Sequence, residues 1–331
     1  MRALLHLLRL GCLLFLGAVG VCLWVLHDIS FPADATGRRP AQIIKVEAGS
    51  TAAEVGRVLE EKDLIPSAFA FRVIARFSGQ GAAIRAGYYE IKPSEAPLKI
   101  LEKLVRGQTL VHRVTVPEGL TLREVALLLE QQKIVKAADF LAVASRQGRR
   151  FGADLPDNLE GYLFPDTYEL PWVVTAEEVV AAMVGQFREK ALPLWTDQAP
   201  LSLRDTVILA SLVEREARLP AERPVIAGVY LNRLKRGMPL GCDATIQYAL
   251  GKRTAPTWQE LEIDSPYNTY LRPGLPPGPI CNPGRACFEA AVKPKKTGYL
   301  YYVRNDVKGD GSHIFTSSLE EHNDAIRRYQ R

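Results

Sequence analysis

Residues 202–230 read SLRDTVILASLVEREARLPAERPVIAGVY. Ser202, with Asp205 three residues on, resembles a capping box that opens a helix. Ile208, Leu209, Leu212 and Val213 recur at helical spacing, so the stretch predicts an amphipathic helix that Pro220 stops. Two carboxylates, Glu214 and Glu216, lie near its end. A carboxyl held against apolar neighbours keeps its proton at neutral pH, as a general acid in glycosidic chemistry must. An ordinary surface pair between Glu214 and Arg218, at i and i+4, writes the same pattern. Residues two apart on a helix point about 200° apart, so only one of the two carboxylates can face a given cleft. Glu214 lies over the small residues Ala210, Ser211 and Ala217, which favours it for that place.

Further motifs follow: Val229 to Leu234 (VYLNRL), Gly237 to Leu240, Asp243 and Thr245, Tyr267 to Tyr270 (YNTY), Gly274 to Ile280, Asn282 to Gly284, Tyr299 to Val303 and His313 to Phe315. With Ala210 to Glu216 (ASLVERE) they resemble, in order and spacing, the endolytic murein transglycosylases of the YceG-like family. The resemblance implies that the first Glu of the motif, Glu214, is catalytic. It nominates Glu216, Asp243, Asn268, Thr269, Tyr270 and His313 as substrate contacts, with Asn268 and Tyr270 bonding sugar hydroxyls or N-acetyl groups. It also implies cleavage of the β-1,4 bond between N-acetylmuramic acid and N-acetylglucosamine within a glycan strand, with no metal and no organic cofactor. The chain departs from the family pattern after Leu240. There the family usually carries Gln, then Ser or Thr, then Asp-Pro-Thr, and this chain carries Gly241-Cys242-Asp243-Ala244-Thr245.

The bulk composition agrees with an exported enzyme. The 331 residues suffice for more than one domain, and 47% are hydrophobic. A net charge of +5 without a dense Lys/Arg tract excludes a nucleic-acid binder and permits a modest attraction to anionic lipid or wall polymer. Five cysteines without paired spacing give neither a disulfide framework nor a zinc site. A Cys281–Cys287 bridge is open to an exported domain, the alternative being buried free thiols.

At the N-terminus Arg2 and Arg9 precede an uncharged run of 17 residues, Leu10 to Leu26. As a helix that run spans about 26 Å, near the lower limit for crossing a bilayer. The charge bias keeps the N-terminus in the cytoplasm and exports the rest to the periplasm of a bacterial inner membrane. A signal peptide cleaved near Ala33-Asp34-Ala35 is the rival, and it lies far beyond the apolar run.

An internal repeat follows at an offset of 70 residues: Val46 to Val55 (VEAGSTAAEV) against Val116 to Val125 (VPEGLTLREV). Each copy predicts a strand, a Gly turn, a Thr cap and an amphipathic helix. Each resembles the start of a LysM-type carbohydrate-binding unit, although a second LysM helix is hard to place. Gly87 to Ile91 reads as a strand, and Pro97 to Arg106, Ala137 to Arg146, Ala176 to Lys190 and Arg223 to Leu234 as helices. Glu160 to Tyr168 reads as an aromatic loop that either stacks on sugars or braces the Glu214 helix. Tyr267 to Pro283 is too rich in Pro and Gly for regular structure and suits the wall of a groove. Tyr299 to Val303 and His313 to Thr316 predict a hairpin, and His313 taken alone is more often structural.

The expected fold class is α+β, with a cytoplasmic N-terminus (1–9), one transmembrane helix (10–27), a linker (28–42), a LysM-like subdomain (43–110) and an α+β catalytic domain (111–331) that begins with the second LysM-like βα unit. Expected partners are peptidoglycan glycan strands, the membrane through a single-pass anchor, and peptidoglycan synthases of the penicillin-binding type. Two rivals stay open: a lysozyme-like hydrolase using Asp243 or Glu216 on water, and a non-catalytic LysM-type wall-binding scaffold.

Overall fold

The structure, a computed structural model, describes residues 2–330. It mixes helices with three small two-stranded sheets and divides into two compact units. The first holds residues up to His112 with Pro171–Val173, and the second Arg113–Leu170 with Val174 onward. Helix α1 (Arg2–Ser30) opens the chain. Within it Leu10–Ser30, at a mean hydropathy of 2.2, is the one span among the described residues long and apolar enough to cross a membrane.

The repeat recurs as backbone geometry. In the first copy β1 (Gln42–Val46) leads to α2 (Ala52–Glu61), α3 (Ala68–Phe77) and β2 (Gly87–Ile91), which pairs antiparallel with β1, before α4 (Pro97–Arg106). In the second, β3 (Val111–Thr115) leads to α5 (Leu122–Gln131), α6 (Ala137–Ala144) and β4 (Thr167–Pro171), which pairs with β3. Thr51 with Glu54, and Thr121 with Glu124, form full capping boxes. The turns before them need the positive φ of Gly49 (80°) and Gly119 (76°). After each first helix one residue turns left-handed, Asp63 and Lys133, and the next amide returns to the helix, Leu64 to Leu59 and Ile134 to Leu129. A glutamate then receives the amide opening the next helix, Glu60 that of Ala68 and Glu130 that of Ala137, both at 3.0 Å. These signals mark the second helix of each copy, of which the sequence reading assigns only the later one, Ala137 to Arg146.

The second unit is built around α8 (Leu203–Glu216). Ser202 caps it, accepting the Asp205 amide at 3.1 Å. All eight residues from Thr206 to Val213 are buried, because α7 (Ala176–Lys190), α9 (Arg223–Lys235), α10 (Asp243–Leu250) and α11 (Arg285–Val292) share one core with it. The helix is thus embedded all round, where the sequence predicts a one-sided stripe. Its buried Ser211 is satisfied, donating to the Ile208 carbonyl at 2.7 Å and accepting the Ile280 amide at 3.1 Å. The antiparallel hairpin of β5 (Tyr301–Arg304) and β6 (His313–Thr316) and the final helix α12 (Leu319–Tyr329) complete the unit.

The 160s loop is a brace. Tyr162, Phe164 and Tyr168 are buried in the core, so none is free to stack on a sugar. Asn282, itself fully buried, accepts the Gly161 and Leu163 amides, both at 3.0 Å, and donates to the Leu120 carbonyl at 3.0 Å. It thereby ties the loop after β3, the 160s loop and the segment before α11 together. Asn282→Ala leaves the two buried amides of Gly161 and Leu163 unpaired, while the Leu120 carbonyl keeps the backbone amide of residue 282 at 2.9 Å. A loss of about 3 kcal/mol is expected, read as a lower thermal midpoint of the detergent-solubilised chain. An unchanged midpoint would show that water replaces the amide.

Candidate active site

Because α8 is buried up to Val213, only its last turn can meet solvent, and the two carboxylates leave it in different directions. Glu216 lines an open cleft of about 960 Å3 in the second unit. Asp243, Tyr270 and His313 line the same cleft. Glu214 does not line it. Its Oε2 accepts the Gly284 amide at 2.9 Å, at the N-terminus of α11, where the helix dipole favours an anion. Its Cγ lies against Gly119, whose missing side chain would sit 3.5 Å away. Glu118 crowds the same place. Burial first, and then the charge of Glu214, raise its carboxyl above the usual range. A Cβ on Gly284 would fall 1.9 Å from Glu118 Oε1, so a larger residue there requires the Glu118 side chain to move. Glu214 itself is half-buried, so the end of α8 leaves it partly open. The small residues under it, Ala210 and Ser211, are fully buried by helix packing.

Around Glu216 the partners are neutral. Tyr302 donates its hydroxyl to Oε2 at 3.1 Å, and Cys242 points its thiol at Oε1 at 3.3 Å. The Tyr302 hydroxyl also meets that of Tyr230 at 2.8 Å. Burial raises the carboxyl of Glu216 above the ordinary range and the two donors oppose the rise, while the Asp243 charge adds to it and His313 opposes it. Its place as the last residue of α8, beside unpaired carbonyls, disfavours the anion in the same sense. A group so placed can hold a proton and release it on demand.

The other nominated residues divide in two. Asp243 accepts the Tyr270 hydroxyl at 2.5 Å, and both line the cleft. His313 is held by Glu222, through Nδ1 at 2.7 Å and through its amide at 2.9 Å, and its ring stands edge-on to Tyr302 at 5.3 Å. Asn268 and Thr269 are buried and committed to the protein. Asn268 donates to the Leu261 and Ile263 carbonyls, both at 2.9 Å, and accepts the Tyr270 amide at 3.0 Å. The Thr269 hydroxyl accepts the Cys242 amide at 3.0 Å and meets that of Thr245 at 3.0 Å. The sugar contact expected of Asn268 is therefore corrected to a brace: an irregular loop must satisfy its own backbone, and this amide does so. Asn232 and Arg233 likewise tie α9 to the chain before β5, through the Thr297 and Leu300 carbonyls.

Sequence reading missed Glu222 and Tyr302 as site residues. Tyr302 lies within a quoted motif, but only the pairing of β5 with β6 shows which tyrosine of that run faces Glu216. Cys281 and Cys287 are free and buried, which settles for free thiols over a bridge.

A second cavity of about 680 Å3 shares Arg215, Gln247 and Arg253 with the first, so the two are neighbours. Arg215 reaches Gln247 at 2.9 Å where they meet.

The sequence profile of the YceG-like family matches residues 44–328. The chain belongs to the YceG-like family. A Bacillus subtilis (strain 168) relative, named endolytic murein transglycosylase, is 35% identical over 306 residues, which cover 86% of this chain and 84% of that protein. A Streptococcus pneumoniae (strain R6) protein of the same name is 30% identical over 331 residues, covering 89% of this chain and 59% of its own length. A crystal structure of a yceG-like protein from Listeria monocytogenes superposes with a TM-score of 0.55 at 32% identity, over 86% of this chain and 99% of that one. The family's matched region includes Glu214, Glu216, Asp243, Tyr270, His313 and both copies of the repeat.

In the second cavity Glu160 is fully enclosed, and desolvation pushes its carboxyl up to about 8 against the Leu122 amide and the Tyr248 hydroxyl, which favour the anion. An unfolded glutamate ionises near pH 4.3. Between those values the folded chain keeps a proton that the unfolded chain gives up. Stability from this group is thus full at the acid end and is lost as pH rises towards 8. Glu160→Gln should flatten that part of the dependence of thermal midpoint on pH from 5 to 8. An undiminished slope would assign it to other groups.

Proposed function

We propose that this protein is an endolytic peptidoglycan lytic transglycosylase, with Glu214 as its acid and base. The observation that supports the reading is a carboxylate leaving the solvent end of the buried α8, half-buried and steadied by the Gly284 amide on its Oε2. The names of the curated relatives supply the substrate class. The scissile bond is the β-1,4 link between N-acetylmuramic acid and N-acetylglucosamine inside a nascent strand. Glu214 gives its proton to the glycosidic oxygen as that bond breaks and an oxocarbenium-like centre develops at the muramic acid. The ionised Glu214 then takes the proton from the C6 hydroxyl of the same sugar, whose oxygen closes a 1,6-anhydro ring. Water adds to neither product, so no second carboxylate at retaining or inverting separation is required. The nucleophile is part of the substrate and brings its own proximity advantage. Glu216, Asp243 with Tyr270, and His313 held by Glu222, contact the glycan.

Helix α1 serves as a single-pass anchor with a cytoplasmic N-terminus and a periplasmic remainder, which the basic residues before the apolar run support. The first copy of the repeat acts as a LysM-like glycan-binding subdomain (43–110), and the second opens the catalytic domain (111–331). The β-α-α-β order of both copies favours this. Together they place cleavage where strands are made, with penicillin-binding synthases as partners, and cutting there ends strand elongation.

Glu216 is the rival for the role of proton donor, and one pair of variants separates the two. Solubilised full-length chain is incubated with purified murein and the products are read by mass spectrometry. Wild type should leave 1,6-anhydro ends, lighter by one water than hydrolysis products. Glu214→Gln should lose about 10³-fold or more in rate and stay folded, because its amide oxygen still accepts from Gly284, while Glu216→Gln keeps activity within about tenfold. The reverse pattern would move the chemistry to Glu216. Reducing ends would mark a hydrolase, and binding without cleavage in the wild type a scaffold.

A further inference from the structure

The cavity that holds Glu160 carries more positive charge than its acids offset. Arg123, Arg215, Lys252 and Arg253 line it, with Glu124 and Glu160 as the acids. Glu160 is fully enclosed and keeps its proton at neutral pH, so it offsets nothing. Two of the cations are spent: Arg253 Nε donates to Glu124 at 2.7 Å, and Lys252 to Glu260 at 2.5 Å. The other two have no acidic partner among the described residues. Arg215 donates to the neutral Gln247 at 2.9 Å, and Arg123 is exposed. Stability does not explain Arg123. It stands in the first turn of α5, where the helix dipole disfavours a cation, and the first copy of the repeat has Ala53 at the matching place.

This cavity adjoins the proposed acid. Arg215 follows Glu214 in the chain and lines both cavities. Arg253 Nη2 donates to the Gly119 carbonyl at 3.0 Å, and a Cβ on Gly119 would lie 3.5 Å from Glu214 Cγ. We propose that the second cavity is an anion site in which Arg215 and Arg123 bind a carboxylate carried on the lactyl arm of the strand's muramic acid. The proposal rests on the reading above that the substrate is murein, cut at Glu214. On a naked strand the lactyl carboxyl is itself free. On a peptide-bearing strand it is amide-linked to the stem, whose own carboxylates take its place. A guanidinium pairs with a carboxylate through two parallel N–H bonds and opposite charge, and a sugar hydroxyl offers neither. A volume of about 680 Å3 exceeds what one carboxyl fills and admits a short peptide.

The test is the Kd of solubilised full-length Glu214→Gln, which should leave strands uncut, for three soluble murein fragments of equal length. One is peptide-bearing, one is stripped of its peptides by an amidase, and one is peptide-bearing with every carboxyl capped as a methylamide. Capping should weaken binding about tenfold or more, and raised salt should narrow that gap. Adding Arg215→Gln or Arg123→Gln should remove most of the gap, and Arg215→Lys should restore part of it. Arg123 is exposed, so its variant decides the matter even where Arg215→Gln unsettles α8. Tight binding of the stripped fragment assigns the lactyl carboxyl, and weak binding the carboxylates of the stem. Equal Kd for capped and uncapped fragments, or a gap that persists in both arginine variants, overturns the proposal. Wild type is run on the same fragments. Products without 1,6-anhydro ends defeat the transglycosylase reading, whereas the Kd ratio decides the carboxylate site by itself.

Discussion

The constraint on which the site depends is the burial of α8. Eight consecutive residues, Thr206 to Val213, have no access to water, and the helix emerges only at its end. A buried helix packed by four neighbours cannot rotate to change which side chain meets the cleft, because each face is already matched to another element. The cleft therefore receives Glu216, and Glu214 is turned onto the N-terminus of α11. The carbonyls that end the helix then become the electrostatic surroundings of Glu216.

The polar groups in this unit fall into two kinds. Asn282, Asn268, Thr269, Asn232 and Arg233 spend their bonds on backbone amides and carbonyls of irregular segments. A unit with so much loop must pair those groups or lose the fold. Others, among them Glu216, Asp243, Tyr270, Tyr302 and His313, face the cleft. Site and scaffold are thus built from the same motifs, and residues adjacent in sequence, such as Thr269 and Tyr270, do different work.

The repeat shows how much local chemistry can specify. Both copies use the same capping box, the same glycine before it, the same left-handed residue after the helix and the same glutamate at the next helix start. Each signal acts within ten residues, so the two copies reach the same backbone path although their neighbours differ.

For the same reason the sequence by itself determined the local elements. Helices Pro97–Arg106 and Ala176–Lys190, the caps at Thr51, Thr121 and Ser202, and the strands of the last hairpin follow from periodicity and capping within a few residues. It also determined the family, through motifs spread along the chain. The partners of the two carboxylates were out of its reach: Glu214 meets the Gly284 amide, and Glu216 the Tyr302 hydroxyl and the Cys242 thiol. Small residues beneath Glu214 look alike whether a substrate or another helix covers them, and here α11 does. Equally hidden were Glu222 behind His313 and Cys242 against Glu216, pairs 91 and 26 residues apart. Only tertiary packing brings such groups together, and a carboxyl's proton affinity depends on what lies within a few ångströms of it rather than on its neighbours along the chain.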